Sequence, residues 1–176
     1  GAGKDIYVFN KGDGIDVIYD PDDIEGSYSA QDKNTNPNKS TIVFGDGIDK
    51  SQLKFGNGSL LIDIGNGDAI HLSLPAGQSD PAAVRTFDHL QFADGSTMSF
   101  EDVLAQGFDI DGTEGNDSGE PGEQPALFGS SVTDRMRGFG GDDLLVGLGG
   151  DDELDAGGGN DHAFGGAGND VLLGGD

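Results

Sequence analysis

An aspartate recurs at every ninth position near the C-terminus, at Asp134, Asp143, Asp152, Asp161 and Asp170. Two residues before the last four stand Gly141, Gly150, Gly159 and Gly168. Two residues after all five come Met136, Leu145, Leu154, Ala163 and Leu172. Each unit reads Gly-Gly-x-Gly-x-Asp-x-apolar-x, most fully in Gly165-Gly166-Ala167-Gly168-Asn169-Asp170-Val171-Leu172-Leu173. A flexible Gly/Asp-rich linker needs neither a fixed register nor a periodic apolar residue, so the pattern argues against one.

Six turn-forming residues followed by three with a central apolar side chain describe a tight loop and a very short strand. Alternate strand side chains face opposite ways, so the apolar residue alone points inward. Two units then make one coil of a flattened spiral, and successive coils stack about 4.8 Å apart. The spacing predicts one column of Asp134, Asp152 and Asp170 and a second of Asp143 and Asp161. Carboxylates about 5 Å apart repel by about 3 kcal/mol at an effective dielectric near 20, so the columns require a cation. Calcium suits such loops because it accepts six to eight oxygens in irregular geometry. Zinc favours His and Cys, and magnesium a stricter octahedron.

Composition narrows the remaining possibilities. The 176 residues include 33 Gly, 33 Asp or Glu against 9 Lys or Arg, and no Cys, for a formal charge of -24. Without Cys there is no disulfide scaffold, thiolate zinc site, iron–sulfur cluster or thiol nucleophile. The charge makes nucleic acid and anionic membranes poor partners. No apolar run is long enough to span a bilayer, so membrane insertion is not expected. Glycine lacks the strict three-residue period of collagen.

The N-terminus carries two weaker copies of the unit, Gly1-Ala2-Gly3-Lys4-Asp5-Ile6-Tyr7 and Lys11-Gly12-Asp13-Gly14-Ile15-Asp16-Val17-Ile18. Their aspartates are eleven residues apart, which predicts a distorted spiral. Residues 20–40 are polar and aperiodic and read as a long surface loop. Strand-like runs follow at Thr41–Phe44, Gln52–Phe55, Leu60–Ile64, Ala69–Leu74 and Phe87–Phe92, with hairpin turns expected around Asn57-Gly58 and Asn66-Gly67. Ser99-Phe100-Glu101-Asp102 opens a short helix that Gly107 closes. The expected organisation is therefore degenerate repeats over 1–20, a loop over 21–40, a β-rich domain over 41–110, a decayed repeat with an insertion loop over 111–128, and the nonapeptide array over 129–176.

The nonapeptides resemble the calcium-binding repeats of RTX (repeat-in-toxin, hemolysin-type) proteins. Residues 42–106 resemble the hemolysin-type calcium-binding protein related domain, through Ile42-Val43-Phe44-Gly45-Asp46-Gly47-Ile48, Gln52-Leu53-Lys54-Phe55, Leu60-Leu61-Ile62-Asp63-Ile64 and Phe92-Ala93-Asp94-Gly95-Ser96-Thr97. The resemblance implies an all-β fold, a right-handed parallel β-roll flanking a small β-rich domain with one or two short helices. It also implies type I secretion and folding on external calcium. As ligands it implies the carboxylates of Asp134, Asp143, Asp152, Asp161 and Asp170. Carbonyls would come from Gly138, Gly140, Gly141, Gly147, Gly149, Gly150, Gly157, Gly159, Gly165, Gly166 and Gly168. Asp5 and Asp16 of the N-terminal copies join them. Phe139 and Leu148 depart from the second Gly, so their loops are either strained or use less demanding backbone angles. Val132 departs from the third, which makes Asp134 the weakest ligand assignment. Gly112-Thr113-Glu114-Gly115-Asn116-Asp117 reads as a decayed repeat with Gly119 in the apolar position.

An EF-hand over Asp109–Glu120 is disfavoured by Glu114 in the glycine position and Pro121 at the exiting helix. His71, His89 and His162 are scattered, and paired carboxylates in solvated calcium loops should have lowered pKa values, unlike a glycosidase acid. Asp20-Pro21 and Asp80-Pro81 resemble the bond cut in self-processing RTX proteins but are weak signals in so acidic a chain. The expected function is a non-enzymatic calcium-binding structural module of a secreted bacterial protein, adhesive or at the cell surface, with other segments of a longer protein or an extracellular assembly as further partners. The alternative is the non-catalytic carrier region of a secreted hydrolase, lipase or polysaccharide epimerase.

Overall fold

The computed structural model describes residues 4–18, 40–56, 60–74, 79–83 and 85–176. The expected loop over 21–40 (Ser40 excepted), the Asp20-Pro21 dipeptide, the Asn57-Gly58 turn tip and the first three residues lie outside the described residues. Among the described residues the chain is β-structure with one α-helix and a 3-10 turn at Pro81–Ala83, the all-β class. It divides into two compact units, Gly1–Val103 and Leu104–Asp176.

Unit 1 holds strands β1 (Ile6–Phe9), β2 (Ile15–Ile18), β3 (Thr41–Phe44), β4 (Lys54–Gly56), β5 (Leu61–Gly65), β6 (Asp68–Leu72), β7 (His89–Gln91) and β8 (Thr97–Ser99). They form two mixed sheets, ordered β1-β3-β7-β8 and β2-β6-β5-β4. Alternation places Ile42, Phe44, Ile62 and Ile64 inward while their neighbours are half-buried, as one-sided packing of a pleated strand demands. Phe44 stacks on Phe92 at 5.4 Å, and Phe87 meets Phe100 edge-on at 5.2 Å. The β5–β6 hairpin closes through Asn66 and Gly67, both at positive φ (57° and 86°), the pair of left-handed residues that a tight primed turn requires. Helix α1 (Phe100–Gln106) starts on a reciprocal cap. Asp102 N–H donates to Ser99 Oγ (3.1 Å), and Ser99 N–H donates to Asp102 Oδ2 (2.8 Å).

Unit 2 holds β9 (Phe108–Asp111), β10 (Leu127–Phe128), β11 (Asp134–Arg137), β12 (Leu144–Gly149), β13 (Glu153–Asp155), β14 (His162–Ala167) and β15 (Val171–Leu173). Every pairing is parallel. Odd-numbered strands form a sheet ordered β15-β13-β11-β9, and even-numbered strands form one ordered β10-β12-β14. The chain therefore changes sheet with each successive strand. The repeat's apolar position supplies a core of Leu127, Met136, Leu145 and Leu154, with Ile110 and Ala163 packed against it.

One register differs from expectation. Leu127, not Gly119, stands opposite Leu145. The repeat that begins at Gly112 keeps its aspartate, Asp117, and its apolar residue, but eight residues are inserted between them. Asp117 consequently meets a partner 26 residues on instead of 18. The EF-hand reading is not realised, because Asp109 and Asp111 belong to β9.

Candidate metal centre

The loops of unit 2 stack their aspartates through the backbone. The N–H of Asp134 donates to Asp152 Oδ1 (2.8 Å), that of Asp143 to Asp161 Oδ1 (2.9 Å), and that of Asp152 to Asp170 Oδ1 (3.1 Å). Asp117 N–H donates likewise to Asp143 Oδ1 (2.8 Å), an alignment the insertion hid from a search at a period of nine. One oxygen of each accepting carboxylate is thus consumed in register. The second is left over. Oδ2 of Asp143, Asp152 and Asp161 is buried and has no hydrogen-bond partner.

A buried acceptor without a partner costs about 1–3 kcal/mol, and more when charged. A cation is the partner that fits. No three carboxylate or imidazole side chains converge on one point among the described residues. Any ion here must complete its shell with backbone carbonyls, which suits calcium far better than zinc. In the units of Asp143 and Asp152 the first glycine keeps the space beside Oδ2 clear: a Cβ on Gly138 would fall 2.5 Å from Asp143 Oδ2, and one on Gly147 would collide with Asp152 Oδ2, whereas the unit of Asp161 carries Ala156 there.

Asp134, Asp143 and Asp152 are 0%, 2% and 2% exposed, so the expectation of solvated loop carboxylates is corrected. Burial pushes the Asp143 and Asp152 carboxyls above the ordinary range. The N–H groups of Asp117 and Asp134 oppose this, and neighbouring carboxylates (Asp117, Asp161 and Asp142 for the first, Asp170 and Asp151 for the second) reinforce it.

Backbone angles explain the glycine pattern at the second and fourth positions. Gly141, Gly150, Gly159 and Gly168 at the fourth all have φ between 108° and 146°. Phe139 and Leu148 at the second adopt left-handed φ of 72° and 73°. Of the two expectations for these departures, the strained one holds, at about 1–3 kcal/mol each. The Arg137 guanidinium lies 5.7 Å from the Phe139 ring centroid and offsets part of it.

A second ladder runs through the fifth position, which the motif leaves unspecified. Asp142 N–H donates to Asn116 Oδ1 (2.8 Å), Asn160 N–H to Asp142 Oδ1 (2.8 Å), and Asn169 N–H to Asp151 Oδ1 (2.9 Å). These bonds run from later repeat to earlier, opposite to the sixth-position ladder. The unit's two cations clamp the junction made by the insertion: Arg135 Nε pairs with Asp109 Oδ1 (2.7 Å) and Arg137 Nε with Asp111 Oδ1 (2.7 Å).

The structure thus brings Asp134 beside Asp152, Asp143 beside Asp161, and Asp152 beside Asp170, with Gly138, Gly140, Gly147, Gly149, Gly165 and Gly166 in the adjoining loops. Gly141 and Gly150 donate N–H groups to the carbonyls of Gly158 and Ala167, and the Gly157 carbonyl accepts the Asp176 N–H (3.1 Å). Asp134 differs from Asp143, Asp152 and Asp161, since its Oδ2 accepts the Ser130 N–H (2.6 Å). Asp5 and Asp16 are not brought together. Asp5 precedes β1 and receives the Thr41 N–H at its carbonyl, whereas Asp16 lies exposed within β2 opposite Ile70. The turn between β1 and β2 is held instead by buried Asp68, which accepts the N–H groups of Gly12 (2.7 Å) and Gly14 (3.0 Å).

Compared with known proteins, no curated relative and no solved structure matches the chain. One family model does, the RTX calcium-binding nonapeptide repeat, with four copies over residues 137–172. That stretch covers β12, β13, β14 and most of β15 together with all three unpartnered carboxylates. Residues 137–172 are an array of RTX repeats, a motif that binds Ca2+.

Proposed function

We propose that this chain is a non-enzymatic, calcium-dependent structural module of a secreted RTX protein, with adhesive or scaffolding work at the cell exterior. The observation that carries the proposal is the trio of buried, unpartnered Oδ2 atoms on Asp143, Asp152 and Asp161. Asp143, Asp152, Asp161 and Asp170 would hold calcium together with loop carbonyls of the glycine-rich turns. Two parallel sheets, with strands alternating between them and aspartates in 18-residue columns, support reading unit 2 as a right-handed parallel β-roll. Bound calcium supplies the positive charge that lets these carboxylates stay ionised in a buried, crowded column.

The rest follows from the chain itself. Unit 2 has a thin apolar file of Leu127, Met136, Leu145 and Leu154, its last repeat leaves Leu172 exposed, and its acidic loops repel one another, so without a cation the extended chain is favoured. Ion binding that exists only in the folded state is then folding free energy. A chain open where free calcium is scarce and closed where it is abundant suits export through a narrow channel. A carrier region of a secreted hydrolase, lipase or epimerase would use the same property, and the flanking sequence separates the two readings. Circular dichroism with and without millimolar calcium tests the coupling: β content should rise with calcium, and equal spectra would contradict it.

A further inference from the structure

The six glycine-turn loops of unit 2 do not share one conformation. In the loops ending at Asp143, Asp152, Asp161 and Asp170, the second and fourth residues both have positive φ. In the loops ending at Asp117 and Asp134, neither does: Thr113 and Ser130 hold the second position, and Gly115 and Val132 the fourth. The difference redirects a donor. With φ negative, the second residue turns its N–H onto the loop's own aspartate: Thr113 N–H donates to Asp117 Oδ2 (2.7 Å) and Ser130 N–H to Asp134 Oδ2 (2.6 Å). The hydroxyls reach the same atoms, Thr113 Oγ1 at 3.1 Å and Ser130 Oγ at 3.0 Å. Each hydroxyl also accepts an N–H two residues on, from Gly115 (3.2 Å) and Val132 (3.2 Å).

Two donors on one carboxylate oxygen do for Asp117 and Asp134 what no described residue does for Asp143, Asp152 and Asp161, whose Oδ2 atoms are buried without a partner. A carboxylate that accepts hydrogen bonds from backbone and hydroxyl is satisfied, and recruiting it to a metal would require breaking both. The coil ends consistently on this side. In register with Asp134, the preceding coil of the same sheet presents Phe108, fully buried, where an aspartate would otherwise stand.

We infer that Thr113 and Ser130 are positioning residues that close the first two loops of the array in place of an ion, so that Asp117 and Asp134 take no calcium and the N-terminal coil is a metal-free cap. A hydroxyl at the second position with negative φ closes a loop, and a left-handed residue there opens it to metal. The inference rests on the calcium reading above and refines which loops use it.

Calcium counts on the full chain, by isothermal titration calorimetry, decide it. D134N and D117N should bind as many ions as the unaltered chain, whereas D152N should bind fewer. The double variant S130G/V132G restores the glycine pattern of the loop before Asp134 and should gain one ion, with Asp134 now paired to Asp152. A count that falls by one in D134N, or no gain in S130G/V132G, overturns the inference while leaving calcium binding intact. An unaltered chain that binds no calcium ends the broader reading and this inference with it. The two failures are therefore distinct.

Discussion

The two units solve the same problem, burying a β-structure, by opposite means. Unit 1 fills its interior with carbon: Phe44, Phe55, Phe87, Ile42, Leu60, Ile62, Ile70 and Leu90 are all essentially inaccessible. Its one buried carboxylate among the described residues, Asp68, is satisfied by two turn N–H groups. Unit 2 has a single file of Leu127, Met136, Leu145 and Leu154 and buries Asp117, Asp134, Asp143 and Asp152 around it. A hydrophobic core is stabilised by water alone. A core flanked by buried anions is stabilised only in company with something positive, except where a serine or threonine closes the loop.

The comparison can be broken most severely at the shared carboxylate. Asp152 donates to and accepts from its column on both sides, whereas Asp134 already has Ser130. Changing Asp152 to Ala should cost at least one calcium and most of the calcium-induced β signal. Changing Asp134 to Ala should leave the ion count unchanged, and equal losses in the two would contradict the column. Next in size is the apolar file. Leu145→Ala should lower the stability of the calcium-loaded unit 2 by about 2–5 kcal/mol in urea melts while leaving the unit 1 transition in place. An Ile62→Ala change should do the converse.

Acidification sharpens the contrast further. Burial raises the carboxyls of Asp143 and Asp152, so the folded, metal-free unit binds more protons than the unfolded chain. That contribution is fully present below the ordinary carboxylate pKa and is lost as pH rises through the raised values. In chelator, unit 2 should therefore gain structure as pH falls from neutral toward the ordinary carboxylate range, seen as increased β signal, and a loss of structure over that range would reverse the sign. The smallest effect concerns strain. Leu148→Gly should stabilise the loaded unit by about 1 kcal/mol by removing a left-handed bulky residue. Phe139→Gly should stabilise less, because it also removes the Arg137 contact.

How much of this could be read from the sequence depended on the period. The columns of Asp134, Asp152 and Asp170 and of Asp143 and Asp161 follow from a nine-residue recurrence and strand alternation alone. So do the strand at Thr41–Phe44, the Asn66-Gly67 turn and the Ser99 cap, which are local. The repeat ending at Asp117 is legible as a decayed copy, but its pairing with Asp143 is not, because the insertion shifts the partner from 18 to 26 residues away and composition gives no cue to where the strand resumes. The fifth-position ladder was legible only as a recurrence of Asp or Asn at 116, 142, 151, 160 and 169, which a motif written with x there discards. Burial of the carboxylates could not be read at all, since it depends on the repeats packed beside the loop and not on the loop. Asp68 bonding a turn 54 and 56 residues earlier is likewise a tertiary contact with no local signature.

Hydrogen–deuterium exchange of the whole chain, resolved by segment and compared in calcium and in chelator, tests the central claim most directly. Amides of β11 to β15 should be protected only in calcium, while those of β3, β5 and β6 should be protected in both. Equal protection of β11 to β15 in chelator would show that unit 2 holds its buried carboxylates without an ion, and the account would be wrong.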